Sequence, residues 1–237
     1  MDTKQRIRER MWELLELKGA ARFPGARGRI PNFIGAEDAA GQLATTAEWA
    51  DAHAVKANPD SPQLPVRARA LAEGKLLYMA VPRLRDIKPF ILVDPTKAGP
   101  SPRRVASIRG ATRAGRAVAI SAIDRIDLVV CGSVAVNRKG ARIGKGGGFS
   151  DLEFALLTEE GLVDEATTIA TTVHPLQVMD EELPETRHDF RVDLIVTPDE
   201  VIRPGRRSRH RPLGIIWSDL NDDKIAQVPV LQTRRPR

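Results

Sequence analysis

The sequence predicts an α/β fold, an open and mostly parallel sheet with helices on both faces. Segments with the composition of strands alternate along the chain with segments of helical composition, which is the order that a parallel sheet requires. The segment 126–136 (IDLVVCGSVAV) is almost continuously apolar, as expected of a strand buried on both faces in the middle of such a sheet. With 237 residues, of which 42% are hydrophobic, the chain is long enough for one moderately large domain.

Composition predicts four helices. The first, at 3–18, places its apolar residues near one face and ends before Gly19. The others are predicted at 37–49, 64–75 and 151–158. Strands are predicted at 52–59, 76–82, 90–95, 126–136, 166–173, 176–180 and 192–198, and the segments 211–217 and 224–231 are interpreted as two further strands or an arm.

Several classes of protein are disfavoured by simple counts. Cys131 is the only cysteine, so no internal disulfide is possible, which fits a reducing compartment. No apolar run approaches the roughly 18 residues that a membrane-spanning helix needs. The first 19 residues carry charges throughout, unlike the apolar centre of a signal peptide. We therefore expect a soluble, cytoplasmic protein.

The net charge of +6 is concentrated near the end of the chain. Segment 201–237 contains nine of the 37 Lys and Arg but three of the 31 acids, which leaves 28 of each in 1–200. We predict an α/β domain over 1–202 and a basic extension over 203–237. Such an extension could contact nucleic acid. The alternative, a solvated loop or a contact between subunits, is favoured because no aromatic residue is interleaved in 203–211. The oligomeric state is left open.

A glycine-rich segment, 139–153 (KGARIGKGGGFSDLE), follows the most apolar strand and precedes a predicted helix. Glycines allow backbone N–H groups to approach an anion, and a helix start attracts phosphate. Lys145 adds a mobile positive charge. The loop has neither the Gly-Lys-Ser/Thr of a Walker A motif nor the spacing of a dinucleotide fingerprint. It predicts a polyphosphate site, with a plain flexible linker as the alternative.

Three blocks of the sequence together resemble the 5-formyltetrahydrofolate cyclo-ligase family. The family pattern Gly-x-Arg-hydrophobic-Gly-x-Gly-x-Gly-Tyr-Tyr-Asp is matched without a gap at Gly140, Arg142, Ile143, Gly144, Gly146, Gly148 and Asp151. A second block is matched at His188, Asp189, Val192 and Asp193, and a third at Lys4 and Arg8. Segments 29–33, 55–63 and 82–85 are similar to the branch called methenyltetrahydrofolate synthetase domain-containing proteins. The resemblance covers about residues 3–202.

This resemblance implies a fold of the NagB/RpiA/CoA-transferase type and an ATP- and Mg²⁺-dependent ligase. The implied reaction converts 5-formyltetrahydrofolate and ATP into 5,10-methenyltetrahydrofolate, ADP and phosphate. The implied ATP-binding residues are Lys4, Arg8, Gly144, Lys145, Gly146, Gly147 and Gly148. Lys145 and Arg142 are the catalytic candidates, Asp60 and Phe149 the folate-binding candidates, and Asp151 and Asp189 the Mg²⁺ ligands. Hard carboxylate oxygens suit that ion.

Each of these residues also has a structural interpretation. Lys4 and Arg8 fit a solvated helix face, Asp151 a charge at a helix start, and Asp189 a cap on a turn. The chain also departs from the family at Phe149, Ser150 and Leu152, where the family has Tyr, Tyr and Arg. Asp60 stands where the family has a folate-contacting Glu. The residues assigned to ATP thus follow the family pattern better than the residues assigned to the folate. The alternative function is a non-catalytic or repurposed member that binds nucleotide, or RNA through its basic extension.

Overall fold

The computed structural model describes residues 2–97, 99, 101–205 and 210–236. Its strands are β1 (Ala54–Ala57), β2 (Leu76–Ala80), β3 (Phe90–Val93), β4 (Arg116–Val118), β5 (Leu128–Cys131), β6 (Ala135–Asn137), β7 (Arg142–Ile143), β8 (Thr168–Thr172), β9 (Val178–Met179), β10 (Leu194–Val196) and β11 (Val201–Ile202). Its helices are α1 (Thr3–Leu17), α2 (Ala36–Ala44), α3 (Ala47–Asp51), α4 (Leu64–Ala72), α5 (Pro102–Val105), α6 (Ile108–Ala114), α7 (Phe149–Glu159), α8 (Asp222–Gln227) and α9 (Pro229–Gln232).

Eight strands of the described chain form the large sheet, in the order β11-β10-β8-β5-β1-β2-β3-β4. The five strands from β10 to β2 run parallel. Antiparallel strands extend the sheet at both edges, β11 on one side and β3 with β4 on the other. The prediction of an open, mostly parallel sheet is confirmed.

Helices cover both faces of this sheet, also as predicted. Alternate residues of a strand point to opposite faces, and here they join two different clusters of buried side chains. On one face, Leu77 and Val130 pack with residues of α2 to α6. On the other, Tyr78 and Val129 pack with residues of α7, α8 and α9.

The apolar segment 126–136 is divided between two sheets. It begins as β5, in the centre of the large sheet, and then leaves it to become β6 of a small sheet with the order β7-β6-β9. The division occurs at Gly132, where a Cβ atom would lie 2.7 Å from Cγ2 of Ile30. The prediction of one continuous central strand is therefore wrong beyond Cys131. Helix α1 packs on the small sheet through Met11 and Leu15.

The segments 211–217 and 224–231 form no strand in the described chain, so their interpretation as strands is wrong. The second segment lies in α8 and α9 instead. The side chain of Asn221 caps α8 by accepting a hydrogen bond of 2.8 Å from the backbone N–H of Lys224. Ile225, Val228 and Leu231 then pack with the core on the α7 face. No helix of the described residues has the length and apolar composition needed to cross a bilayer.

Candidate functional site

A cavity of about 1070 Å³ opens where three parallel strands of the large sheet end. Its wall includes Asn58 after β1, Val81 after β2 and Gly132 after β5. Open α/β sheets bind their ligands at this edge, beyond the carboxyl ends of the strands. The cavity is lined by all the residues proposed from the sequence: Lys4, Arg8, Asp60, Arg142, Gly144, Lys145, Gly146, Gly147, Gly148, Phe149, Asp151 and Asp189. Residues from four separate parts of the chain therefore share one cavity.

The glycine loop runs from the end of β7 to the start of α7. Gly146 (φ 103°) and Gly148 (φ 65°) have positive φ angles, which side chains disfavour. A Cβ atom at Gly146 would lie 3.4 Å from Cζ of Arg8, whose Nε donates a hydrogen bond of 2.8 Å to the carbonyl oxygen of Gly144. Gly148 is the N-cap of α7, and no described side chain caps that helix. The loop therefore offers an anion the positive end of a helix.

Lys4, at the start of α1, is paired with Asp189. Its Nζ lies 2.5 Å from Oδ2 of Asp189, and the same oxygen accepts hydrogen bonds from the backbone N–H and the hydroxyl of Thr186 at 2.5 and 2.8 Å. Burial acts to raise the pKa of Asp189, but the hydrogen bonds from Lys4 and Thr186 hold the pKa below its ordinary value. Asp189 is therefore ionised at neutral pH.

Arg142, on β7, is buried and paired with Asp151 in the first turn of α7. One of its terminal nitrogens, Nη2, lies 2.7 Å from Oδ1 of Asp151, and its guanidinium lies over the ring of Phe190, 4.1 Å from the centroid. Burial acts to lower the pKa of Arg142, but nearby acids, Asp151 first among them, raise it above its ordinary value. Its Nε has no hydrogen-bond partner among the described residues. The guanidinium is thus a permanent charge held at a fixed position.

Lys145, in the glycine loop, is paired with Asp60 across the cavity. Its Nζ lies 2.9 Å from Oδ1 of Asp60, and 47% of the lysine side chain is exposed. The sequence assigned Lys145 to ATP and Asp60 to the folate. Their contact joins the two predicted halves of the site.

Asp151 and Asp189, the predicted Mg²⁺ ligands, each use one oxygen in an ion pair. Over the described residues, no hydrogen bond reaches Oδ2 of Asp151 or Oδ1 of Asp189. Each carboxylate therefore keeps one hard oxygen for a cation. The described residues contain no group of three His, Cys, Asp or Glu side chains suited to a metal. The two carboxylates suit a Mg²⁺ ion that takes its other ligands from water or from a bound molecule, as Mg²⁺ usually does in proteins.

The model of the 5-formyltetrahydrofolate cyclo-ligase family matches residues 1–198. The chain belongs to this family. It is 41% identical over 239 residues to the methenyltetrahydrofolate synthase domain-containing protein of Mus musculus, covering 99% of this chain and 64% of that protein. The protein of the same name from Danio rerio is 40% identical, with 99% and 62% covered. The chain thus spans less than two thirds of the length of these relatives. The predicted family and branch are confirmed.

The solved structure of Aquifex aeolicus 5,10-methenyltetrahydrofolate synthetase has the same fold. It is similar with a TM-score of 0.55 and 20% sequence identity, over 86% of this chain and 95% of that one. At this identity the likeness concerns the architecture alone.

In this cyclo-ligase family member, a buried ion pair that we did not predict connects β1 with α7. Nζ of Lys56 lies 2.5 Å from Oε2 of Glu153 and donates a second hydrogen bond of 2.6 Å to Oδ1 of Asn58. The amide of Asn58 in turn reaches Oγ of Ser150 at 3.3 Å. The sequence indicated one half of this pair, since Lys56 interrupts the otherwise apolar segment 54–57. Buried charges require partners.

The C-terminal segment, outside the residues matched by the family, adds a lysine to the cavity. Nζ of Lys224 on α8 donates a hydrogen bond of 2.7 Å to the carbonyl oxygen of Gly147 and lies 3.3 Å from the ring centroid of Phe149. The same segment is anchored beside Asp189, because Arg187 and His188 donate to Asp219. Their hydrogen bonds lower the pKa of Asp219 to about 2.

The described arginines of the basic extension contact acids of the same chain. These pairs are Arg203 with Glu48, Arg211 with Asp193, Arg234 with Glu160, and Arg235 with Asp222. Residues 206–209, the centre of the predicted basic stretch, lie outside the described residues. The interpretation of the extension as a nucleic-acid contact has no support in the part that is described.

Proposed function

We propose that this protein is an ATP-dependent 5-formyltetrahydrofolate cyclo-ligase. In the proposed reaction, the formyl oxygen of 5-formyltetrahydrofolate takes the terminal phosphoryl group of ATP, and ADP leaves. N10 of the folate then attacks the formyl carbon, the C–O bond breaks, and phosphate departs. The products are 5,10-methenyltetrahydrofolate, ADP and phosphate.

One observation carries this proposal: a glycine loop, cations and carboxylates from distant parts of the chain line one cavity at the carboxyl ends of parallel strands. Family membership supports it independently. The cavity volume of about 1070 Å³ exceeds the range typical of a single small-ligand pocket, so it has room for two substrates.

The proposed role of the loop is to position the phosphates and to balance their charge. Phosphoryl transfer has a loose transition state, so positioning and electrostatic stabilisation matter more than a protein nucleophile. Arg8 fixes the loop through Gly144, and Lys145 approaches the transferred group from its exposed position. Buried Arg142 adds a fixed positive charge beneath the same group.

Mg²⁺ bound with the nucleotide would neutralise charge on the phosphate oxygens. We propose that Asp151 and Asp189 hold this ion through the carboxylate oxygens that accept no hydrogen bond from the described residues. The hydrogen bonds from Lys4 and Thr186 hold the pKa of Asp189 below its ordinary value and so keep that carboxylate ionised. On the folate side, the ring of Phe149 offers an apolar surface, and Asp60 offers a hydrogen-bond acceptor.

Purified protein tests the proposal directly. With 5-formyltetrahydrofolate, ATP and Mg²⁺, we expect the absorbance of the methenyl product to appear, with one ADP formed per product. Lys145→Ala should lower kcat/KM by about tenfold or more, the scale of one charge-assisted hydrogen bond. Asp151→Asn should lower turnover and raise the Mg²⁺ concentration required.

Lys139→Ala is a matched control. Lys139 belongs to the same segment and is paired with Glu182 at the surface, but it does not line the cavity. Its loss should leave kcat/KM unchanged. A folded, ATP-binding protein that forms no methenyl product would disprove the cyclo-ligase proposal.

A second candidate is nucleotide binding without cyclisation. The observation that favours it is the end of the glycine loop, where Phe149, Ser150 and Leu152 replace two tyrosine hydroxyls and an arginine charge of the family pattern. ATP binding and ATP hydrolysis without folate turnover, in the same assay, would select this candidate.

A further inference from the structure

Two cations from different elements line the cavity without an ion pair to any described residue. Arg83 follows β2, and Lys224 belongs to α8. Both line the cavity. Among the described residues, Arg83 makes no ion pair or side-chain hydrogen bond. The ammonium group of Lys224 donates a hydrogen bond to the carbonyl oxygen of Gly147 and lies over the ring of Phe149. Burial, and after it the charge of Arg83, lowers the pKa of Lys224, so the two charges are close enough to repel each other.

The backbone at Arg83 is held in a conformation that few residues adopt. Arg83 (φ 59°) and Leu84 (φ 51°) are consecutive non-glycine residues in the left-handed region. Leu84 is fully buried in the core of the α7 face. Such strain is concentrated at functional sites. Here the disfavoured conformation belongs to a residue that lines the cavity.

The other cations of the cavity point to the same need for an anion. Three of the four that the sequence proposed are already neutralised: Lys4 by Asp189, Arg142 by Asp151 and Lys145 by Asp60. Arg83 and Lys224, like Arg27 and Arg29 of the same cavity, make no ion pair with the described residues. The carbonyl oxygen that Lys224 contacts belongs to the glycine loop, which places its ammonium group at the proposed phosphate site.

We propose that Arg83 and Lys224 form a two-cation clamp that binds the terminal phosphate groups of the nucleotide. An anion between them would replace the repulsion of like charges with two charge-assisted hydrogen bonds. The clamp would also compensate for Leu152, where the family pattern has an arginine. Lys224 lies outside the residues matched by the family, so the C-terminal segment acquires a role in binding. This inference rests on the proposed nucleotide site at the glycine loop, but not on folate turnover.

Equilibrium binding of ATP and of AMP, measured by calorimetry without folate, tests the clamp. In Arg83→Gln and Lys224→Gln, we expect ATP to bind about tenfold more weakly, as for the loss of one charge-assisted hydrogen bond. AMP, which lacks the terminal phosphates, should bind as it does to the unchanged protein. Lys224→Arg should retain most of the affinity for ATP.

Arg85→Gln and Lys88→Gln are the matched controls. Both residues are exposed cations on the loop of Arg83 and lie outside the cavity. Each control removes the same charge and should leave ATP binding unchanged. Thermal unfolding midpoints establish that the variants are folded.

Two results would overturn the clamp. One is ATP binding in the clamp variants that equals that of the controls. The other is unchanged ATP binding with a raised KM for 5-formyltetrahydrofolate, which would assign the two cations to a carboxylate of the other substrate. The proposed function fails separately, if the unchanged protein binds ATP but forms no methenyl product.

Discussion

Two of the lysine–carboxylate pairs with a member that lines the cavity, Lys56–Glu153 and Lys145–Asp60, differ in exposure. Lys56 and Glu153 have 1% and 6% of their side chains exposed. They belong to two elements that are far apart in the sequence, β1 and α7. Lys145 has 47% of its side chain exposed, and its partner Asp60 has 16%. The distance between the charged atoms is similar in the two pairs, at 2.5 and 2.9 Å. Distance alone therefore does not reveal their roles.

The difference in exposure determines what each pair is able to do. A buried charge has no water to replace a lost partner, so its partner is fixed and its removal is costly. An exposed lysine exchanges its partner for water, or for a ligand phosphate, at little cost. We infer that Lys56–Glu153 maintains the position of α7, and that Lys145–Asp60 is a pair that opens when substrate binds.

The largest expected effect is on stability, in Lys56→Met. This change leaves Glu153 buried without its partner, and we expect the free energy of unfolding to fall by about 3–5 kcal/mol. Urea denaturation measures it. The double variant Lys56→Met/Glu153→Leu removes both charges and should recover much of the loss. A single variant within about 1 kcal/mol of the unchanged protein would contradict the role of the buried pair.

An intermediate effect is expected for Asp189, which is partly buried and receives hydrogen bonds from Lys4 and Thr186. Asp189→Asn should lower the free energy of unfolding by on the order of 1.5–3 kcal/mol near pH 7. The pKa of Asp189 is depressed in the folded state. The contribution of its ionised carboxylate to stability is therefore fully present at a pH above the ordinary pKa of 3.8, and it is lost as the pH falls through the lower folded-state pKa.

Denaturation curves of the unchanged protein and of Asp189→Asn should therefore converge as the pH falls below about 4. Asp180→Asn is the control, because Asp180 is almost fully exposed in its pair with Arg138. A stability difference for Asp189→Asn that does not change with pH would rule out the ionised carboxylate as its cause.

The sequence predicted the parallel sheet, the helices on both faces and the residues around the glycine loop. These depend on local patterns, such as apolar strands and a spacing of glycines that a family pattern matches. It failed where a local pattern fits two structures. The segment 126–136 is equally apolar whether it stays in one sheet or, as here, turns into a second sheet at Gly132. The segment 224–231 has the apolar content of a strand, but Asn221 starts a helix there.

The contacts across the cavity could not be predicted, because they depend on how distant elements meet. Nothing near Lys224 in the sequence indicates that α8 packs beside Gly147. Nothing near Arg83 indicates its left-handed conformation, since neither Arg83 nor Leu84 is a residue that favours it. Lys56 is a partial exception. A charge within an apolar segment predicts a buried partner, although it does not identify which one.

The smallest effect on the free energy of unfolding is expected for Lys145→Ala. Of the two residues of the exposed pair, Lys145 is the one whose loss should reduce ATP affinity more. Water replaces the ammonium group at Asp60, so the free energy of unfolding should change by less than about 1 kcal/mol. Lys139→Ala, in the exposed pair with Glu182, should behave in the same way in denaturation. Only Lys145→Ala should weaken ATP binding, because only Lys145 lines the cavity. A loss of stability as large as that of Lys56→Met would show that the Lys145–Asp60 pair maintains the fold, and that it does not open for a substrate.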